Sequence, residues 1–260
     1  MTAPDQMSFW EHLQELRTRL LWSLGIVAAA FAVTYALRFR IWAWAQAPFL
    51  DLYKAGVLAH ARAAGTPPPA TFEPFAYTSL TEPFFSMMRL ALWAAAFLAA
   101  PFLFHQLWAF IRPGLHEKER RWGLVFVVVT SLCFLGGAAF AYFNAFRILG
   151  NILFGEALQA GLCTNLHVET YLDLFLYTIV GTGLLFELPV LVFFLARFRI
   201  LTAARMLRYW RHATLGIVVA SAFLTPGDVV VTTVFFSAVL LGLYAISILV
   251  ALLAAPKARS

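Results

Sequence analysis

Long apolar runs separated by short polar segments dominate the pattern of this chain. The runs cover residues 20–37, 90–111, 122–146, 171–196, 213–224 and 229–253. All but one have 18 residues or more, close to the ~20 that a helix needs to cross a bilayer. The run at 213–224 would form a helix only ~18 Å long, so this part is either a short hairpin that crosses twice or one span with a re-entrant arm.

The polar segments between the runs differ in character. Residues 9–20 place Phe9, Leu13, Leu16 and Leu20 on one helical face, which predicts an N-terminal amphipathic interfacial helix that leads into the first span. Residues 38–83 are polar and punctuated by proline, so we expect part of this segment, around Pro67–Pro69, to be extended.

Composition agrees with a lipid environment. Hydrophobic residues make up 62% of the 260 residues, charged residues only 12%, and the mean hydropathy is +0.80. A soluble domain of this length needs more surface charge. The net charge of +6 does not indicate nucleic-acid binding, because the basic residues sit at the ends of the apolar runs. No Cys/His cluster has metal-ligand spacing, and we expect neither a metal nor a cofactor.

The distribution of basic residues decides between the two arrangements of the last region. With a cytoplasmic N-terminus and six crossings, thirteen lysines and arginines are cytoplasmic and five lie outside, with Arg89 at the outer end of the second span. The outer five are Arg38, Arg40, Lys54, Arg62 and Arg147. A five-crossing chain would leave Lys257 and Arg259 outside, against the positive-inside rule. We therefore expect a cytoplasmic helix at 1–19, a six-helix domain at 20–253 and a cytoplasmic tail at 254–260.

Two acidic residues fall at the same predicted membrane face, next to the ends of the first and third spans. They are Glu15 and Glu119, and each has a simpler interpretation, because Glu15 can pair with Arg19 and Glu117 can pair with Arg121. Together the two carboxylates could bind a cationic extended peptide. Arginine would suit such a site better than lysine, because guanidinium–carboxylate pairs are bidentate.

Glu187 lies inside the fourth run, ten residues before Arg197 and thus ~15 Å from the cytoplasmic end. An ionisable residue near the bilayer centre is expensive and indicates a function, although a structural role remains an alternative. Pro189 follows closely and predicts a bend. The chain lacks enzyme motifs; His105 could pair with an intramembrane serine such as Ser131, but a structural histidine is the better interpretation.

Several motifs resemble the TatC family of twin-arginine protein translocases. In chain order they are His12–Leu20, Pro101–Leu115 with Glu119–Arg121, Phe186–Pro189 and Leu224–Asp228. The first is similar to the family's HLxELRxRL signature, the third to its FE(V/L)P element and the fourth to its LTPPD turn. Pro48 and Pro83-Phe84-Phe85 also fit the family pattern.

The resemblance implies six helices with the last two short, both termini in the cytoplasm, and the bacterial inner membrane as location. It implies a receptor, not an enzyme, for folded proteins that carry an Arg-Arg signal peptide. TatB-like and TatA-like single-span partners, a homo-oligomer and the proton-motive force are implied as well. By motif match, the signal-peptide site would contain Glu15, Glu119, Arg17, Phe110 and Arg121. Glu187 would be an intramembrane partner-binding group and Asp228 the acid of the last outer turn, with Pro189 and Pro226 as structural residues.

Two residues depart from the family pattern: Arg147 and Gly227 stand where prolines are usual. Another class of function remains open from the residues alone, a proton-coupled secondary transporter of a small solute that uses Glu187 as its proton relay.

Overall fold

The computed structural model describes residues 9–65, 67, 75–114, 117–148, 150–151, 166–197, 200–224 and 230–254. Within these ranges the chain is helical except for two short strands and the turns. The helices are α1 (Phe9–Ala36), α2 (Arg38–Ala64), α3 (Glu82–Ile111), α4 (Glu117–Arg120), α5 (Gly123–Phe140), α6 (Val168–Leu185), α7 (Leu188–Arg197), α8 (Ala203–Arg208), α9 (Trp210–Leu224) and α10 (Val231–Ala254). The strands are β1 (Phe75–Ala76) and β2 (Leu166–His167), which pair in parallel.

Five helical segments are long and apolar enough to cross a membrane, so the chain is an all-helical membrane protein. They are Phe9–Ala36, Glu82–Gly114, Gly123–Ile148, Val168–Arg197 and Thr233–Leu253. The segment that was expected as a thin fifth crossing is α9. It has 15 residues and is therefore shorter than the five helical segments that are long enough to cross a membrane. The expectation that the last helix is short as well is wrong, because α10 has 24 residues.

The N-terminal amphipathic segment leads directly into the first span. Residues 9–19 are the first turns of α1, which has 28 residues and reaches Ala36 without a break. Nothing in the local sequence interrupts the helix, since no glycine or proline occurs between Phe9 and Leu24. The interfacial position of residues 9–19 and the boundary at residue 19 stay predictions.

The segment after α1 is also more regular than expected. Residues 38–64 form the 27-residue helix α2, which ends at Gly65 with a left-handed φ of 64°. Pro48 lies inside this helix and cannot donate to the carbonyl of Trp44, four residues earlier. The Tyr142 hydroxyl donates to that carbonyl at 3.0 Å, so a distant side chain replaces the missing partner. Of the expected extended stretch, Pro68 and Pro69 lie outside the described residues.

One end of the bundle is held together by aromatic rings and ion pairs. Tyr171 is 1% exposed, packs against Phe49, Phe75 and Phe175, and donates to the Ala45 carbonyl at 2.6 Å. At the same end, Arg89 of α3 pairs with Asp173 of α6 at 2.7 Å. These contacts and the β1–β2 pair fix the beginnings of α3 and α6 beside each other.

The remaining long helix, α10, packs against α7 and α9. The Ser221 and Ser237 hydroxyls form a buried hydrogen bond of 2.5 Å between α9 and α10. The Tyr244 hydroxyl donates to the Met206 carbonyl of α8 at 2.9 Å. The short α9 is therefore anchored by α10.

Candidate functional site

The first predicted site residue, Glu15, lies where the start of α1 packs against the end of α3. Its Oε1 accepts a hydrogen bond from Arg19 Nε at 2.7 Å, which is the i,i+4 pair that the sequence allowed. Arg19 also donates from Nη1 to Oε1 of Gln106 at 3.1 Å. The carboxylate is thus positioned through Arg19 against α3.

A second contact joins the same two helix ends. The His12 ring stacks on the Phe110 ring with centroids 4.5 Å apart and an interplanar angle of 21°. Phe110 was implied by the family resemblance, whereas the roles of His12 and Gln106 were not anticipated. Because His12 and Glu15 are three residues apart, the two contacts hold one face of α1 against α3.

The Glu15 carboxylate is chemically suited to bind a cation. Its side chain is 26% exposed and that of Arg19 is 32% exposed, so the pair is accessible to a ligand. An arriving guanidinium could compete for the carboxylate, because charge-assisted pairs of this kind are directional and bidentate. Arg17 is exposed on α1, two residues after Glu15 and therefore on a different face of the helix.

The other predicted carboxylate belongs to the segment between α3 and α5. Glu119 lies in the single-turn helix α4, but its side chain is outside the described residues. Its distance from Glu15 is therefore not described. Glu117 and Arg121 are exposed. Arg120 donates to the Pro113 carbonyl at 3.5 Å.

A buried tryptophan fixes the two ends of this segment. Trp108 near the end of α3 is 6% exposed and packs against Phe126 of α5 and Phe194 of α7. Gly123 begins α5, where a Cβ atom would lie only 2.2 Å from Trp108 Nε1. Glycine is therefore required for the close approach of α5 to α3, which the sequence pattern did not reveal.

Glu187 lies at a break in the long segment Val168–Arg197. Helix α6 ends at Leu185 and α7 begins at Leu188, with Pro189 in the first turn of α7, so the predicted bend is confirmed. The carboxyl group is half-buried and lies near the backbone of Phe134 in α5. Its Oε1 is buried without a hydrogen-bond partner within the described part of the chain.

A second unpaired polar atom lies close to Glu187 in the sequence. Oγ1 of Thr182 is buried and has no hydrogen-bond partner among the described residues, and the side chain is 1% exposed. Unpaired buried polar atoms cost ~1–3 kcal/mol each, so two of them near one helix break indicate a place where a further polar group could bind. Thr182 was not identified from the sequence.

The remaining predicted residues have mixed outcomes. Pro83 lies in the first turn of α3, and Phe84 and Phe85 are exposed neighbours with ring centroids 5.4 Å apart. Pro226, Gly227 and Asp228 lie outside the described residues. Arg147 is part of a helix that extends to Ile148.

The histidine–serine pair has no support. Ser131 donates to the Val127 carbonyl at 2.6 Å, while His105 is exposed. Within the described ranges, no group of three or more His, Cys, Asp or Glu side chains could hold a metal ion.

Comparison with known proteins places this arrangement in a family. A family model described as Sec-independent protein translocase protein (TatC) matches residues 11–238. The TatC protein of Koribacter versatilis is 37% identical over 97% of this chain and 88% of its own length. That of Campylobacter jejuni is 34% identical over 92% and 91%. The crystal structure of a twin-arginine translocase receptor, TatC, superposes with a TM-score of 0.78 at 27% identity, over 94% of this chain and 99% of that one.

Proposed function

The chain belongs to the TatC family of Sec-independent protein translocase proteins, and on that premise we propose that it is the receptor that recognises Arg-Arg signal peptides for export of folded proteins. Family membership makes it a translocase component and not an enzyme. The single observation that carries the proposal is the Glu15–Arg19–Gln106 arrangement, in which a conformationally fixed and accessible carboxylate lies at the end of two long apolar helices.

The proposed topology places that carboxylate in the cytoplasm. The charge count supports a cytoplasmic N-terminus. The β1–β2 pair joins the segments before α3 and α6, as expected if both segments lie outside. Helix α9 would then be a thin fifth crossing and α10 the sixth, so both termini are cytoplasmic in the bacterial inner membrane. A membrane-impermeant thiol reagent added outside should label Cys163. If Cys163 is labelled only from the cytoplasmic side, the proposed orientation of the chain is wrong.

The chemistry of recognition follows from two carboxylates and two guanidinium groups. Glu15 and Glu119 would each bind one arginine of the signal peptide. Phe110 would support the site by holding His12 and thereby α1. The exposed Arg17 and Arg121 would contribute to the electrostatic potential around the site and bind carbonyl or acidic groups of the peptide. Lysine would bind less well, because an ammonium group cannot form the bidentate pair.

The test is the affinity of the full-length protein for an Arg-Arg signal peptide. Glu119→Gln and Glu15→Gln keep the side-chain shape and remove the charge. Losing one charge-assisted pair costs ~1.5–3 kcal/mol, or roughly 10- to 150-fold in affinity. We expect the lower end of this range, because Glu15 is partly exposed, and a further loss at high salt.

Glu117→Gln is the matched control, since Glu117 carries the same charge two residues from Glu119 and is exposed. It should change the affinity much less. If Glu117→Gln is damaging and Glu119→Gln is silent, the assignment of Glu119 is wrong. If all three variants bind like the wild type, the receptor function loses its main support.

Glu187 supports a second part of the proposal, the binding of single-span partners. The buried Oε1, which has no hydrogen-bond partner among the described residues, would accept a hydrogen bond from a polar side chain of a TatB-like or TatA-like helix, with a gain of ~0.5–2 kcal/mol in a bilayer. Transport itself would draw on the proton-motive force, with several copies of this chain in one receptor complex. Asp228 would be the acidic residue of the last outer turn.

Glu187→Ala should weaken crosslinking to the TatB-like partner and reduce export, while signal-peptide binding persists. Glu187→Gln retains a hydrogen-bonding group and should restore part of the crosslinking. Normal crosslinking and normal export in Glu187→Ala would reduce this residue to a structural role.

A further inference from the structure

A second feature of the molecule, lined by neither Glu15 nor Glu187, is an apolar groove of about 520 Å³. It lies between the α1–α2 junction, α3, the end of α5 and α6. Sixteen of its 17 lining residues are apolar or aromatic, and the remaining one is Arg40. Trp44 and Phe143 at its edge are 53% and 64% exposed, so the groove opens toward the surroundings of the protein.

The wall of the groove is rigid. The rings of Trp44 and Tyr142 stack with centroids 4.0 Å apart and an angle of 2° between their planes. The Tyr142 hydroxyl also donates to the Trp44 carbonyl, which Pro48 leaves without its helical partner. Tyr142 lies in a π-helical turn, Ala141–Ala145, whose extra residue turns its ring toward α2. A hydrogen bond and a ring stack thus maintain the groove without an occupant.

The apolar walls of the groove extend well into the spans. On α3 the lining residues run from Leu90 to Phe97, eight to fifteen residues after the start of that helix. On α6 they run from Phe175 to Ile179, seven to eleven residues after its start. In the proposed topology Arg40, near the start of α2, lies at the same outer end as the starts of α3 and α6.

The charge of Arg40 is available to a ligand. Among the described residues Arg40 has no ion pair or hydrogen bond of its side chain and is exposed. Its neighbours differ: Arg38 donates to the Tyr35 carbonyl at 2.9 Å and lies over the Tyr35 ring. Arg89 is occupied by Asp173 at 2.7 Å. Of the residues that the structure describes, only Arg40 combines an unpaired charge with contact to the groove.

We infer that this groove binds one phospholipid of the adjacent leaflet, with an acyl chain along the apolar walls and the phosphate on Arg40. The chemistry of the groove favours a lipid over a protein helix, because an apolar helix brings no anionic group to the cation at the end of the apolar walls. An acyl chain is apolar along its whole length and ends in an anionic phosphate, and the groove offers apolar walls that end at a cation.

The test uses the full-length protein in detergent and phosphatidylglycerol as the probe, with the number of retained lipids read by native mass spectrometry. Wild type should retain one phosphatidylglycerol per chain. Ala139→Trp places a ring in the groove from an exposed position and should abolish retention. Leu132→Trp adds the same ring to an exposed position of α5 outside the groove and should have no effect.

The charge is tested separately. Arg40→Gln should weaken phosphatidylglycerol binding about fivefold, the equivalent of ~1 kcal/mol for a basic residue near anionic lipid. Arg38→Gln removes a charge of the same sign two residues away and should leave binding unchanged, because Arg38 does not line the groove.

Two results would overturn the inference. One is equal retention of phosphatidylglycerol by wild type, Ala139→Trp and Arg40→Gln. The other is a photoreactive group at residue 139 that crosslinks, in native membranes, to a second copy or to a single-span protein and not to lipid, which would make the groove a protein interface. Since no step involves the signal peptide, failure here leaves the proposed receptor function untouched.

Discussion

Helix α1 and the segment formed by α6 and α7 are both long enough to span a membrane, yet they are packed very differently. Only 6% of the most apolar stretch of α1 is buried in the protein, against 44% for Val168–Arg197. Helix α1 packs along α3 on one side only, through contacts that include the Thr34 hydroxyl donating to the Ala91 carbonyl at 2.8 Å, Arg19 donating to Gln106, and His12 stacking on Phe110. The α6–α7 segment is surrounded by rings.

This difference separates two uses of hydrophobicity. In α6 the apolar residues build the protein core, so their loss should lower the free energy of unfolding. In α1 they face lipid or partners, and a lipid-facing substitution changes little within the isolated chain. The predicted recognition residue Glu15 lies on the helix whose side chains are mostly exposed, in keeping with binding regions being drawn from the less stable parts of proteins.

The largest expected effect is at the centre of the densely packed region. Tyr171→Ala removes a ring that is 1% exposed and leaves the Ala45 carbonyl without its hydroxyl donor. We expect a loss of ~3–5 kcal/mol in unfolding free energy. The measurement is SDS-induced unfolding in mixed micelles, followed by tryptophan fluorescence. Leu24→Ala in α1 changes a side chain that is 65% exposed and should lower the unfolding free energy by less than ~0.5 kcal/mol. Equal losses of stability in the two variants would contradict the difference in burial between α1 and α6.

Two glycines test the same contrast by adding one methyl group each. Gly123→Ala places a Cβ atom against the Trp108 indole and should destabilise by ~1–3 kcal/mol through overpacking. Gly25→Ala in α1 meets nothing within 4 Å and should stabilise the helix by ~0.5–1 kcal/mol. The same unfolding assay applies. A neutral Gly123→Ala would mean that Trp108 can move aside, so that the approach of α3 and α5 is looser than the structure indicates.

An intermediate effect is expected where Pro48 interrupts α2. Tyr142→Phe retains the ring stack on Trp44 but leaves the Trp44 carbonyl unpaired, which should cost ~0.5–1.5 kcal/mol. Pro48→Ala restores a backbone N–H that can bond to that carbonyl. In the Pro48→Ala background, Tyr142→Phe should therefore cost less. A double-mutant cycle measures the coupling, and strict additivity would show that the hydroxyl does not compensate for the proline.

The smallest effect on stability is expected at Glu15. Its pair with Arg19 is a partly exposed i,i+4 pair, so Glu15→Gln should change the unfolding free energy by less than ~0.5 kcal/mol. The same variant should lower signal-peptide affinity roughly tenfold. A loss of both properties to a similar extent would assign Glu15 to the structure of α1 and not to recognition. Arg17→Gln can be measured beside it, because Arg17 is exposed on the same helix and is also assigned to the signal-peptide site.

Hydrophobic periodicity and length determined most of the architecture. Runs of 18 or more apolar residues can only be satisfied in lipid, so the five long helices and the short α9 were predictable from the sequence. The bend beside Glu187 was predictable as well, because proline removes a backbone donor wherever it occurs. The family was evident from local motifs such as His12–Leu20, since these are read from the sequence alone.

Other features were decided by contacts between residues far apart in the chain. Helix α2 was missed because scattered charged residues and Pro48 interrupt its apolar pattern. It accepts hydrogen bonds from Tyr142 and Tyr171, which lie 98 and 126 positions from their acceptors. A hydropathy pattern likewise does not reveal the fit of Gly123 against Trp108. Nor does it reveal that, within the described part of the chain, the Thr182 hydroxyl and the Arg40 charge at the groove are unpaired. Periodicity records which side of a helix is apolar, whereas the neighbour that covers it, or leaves it open, depends on the assembled bundle.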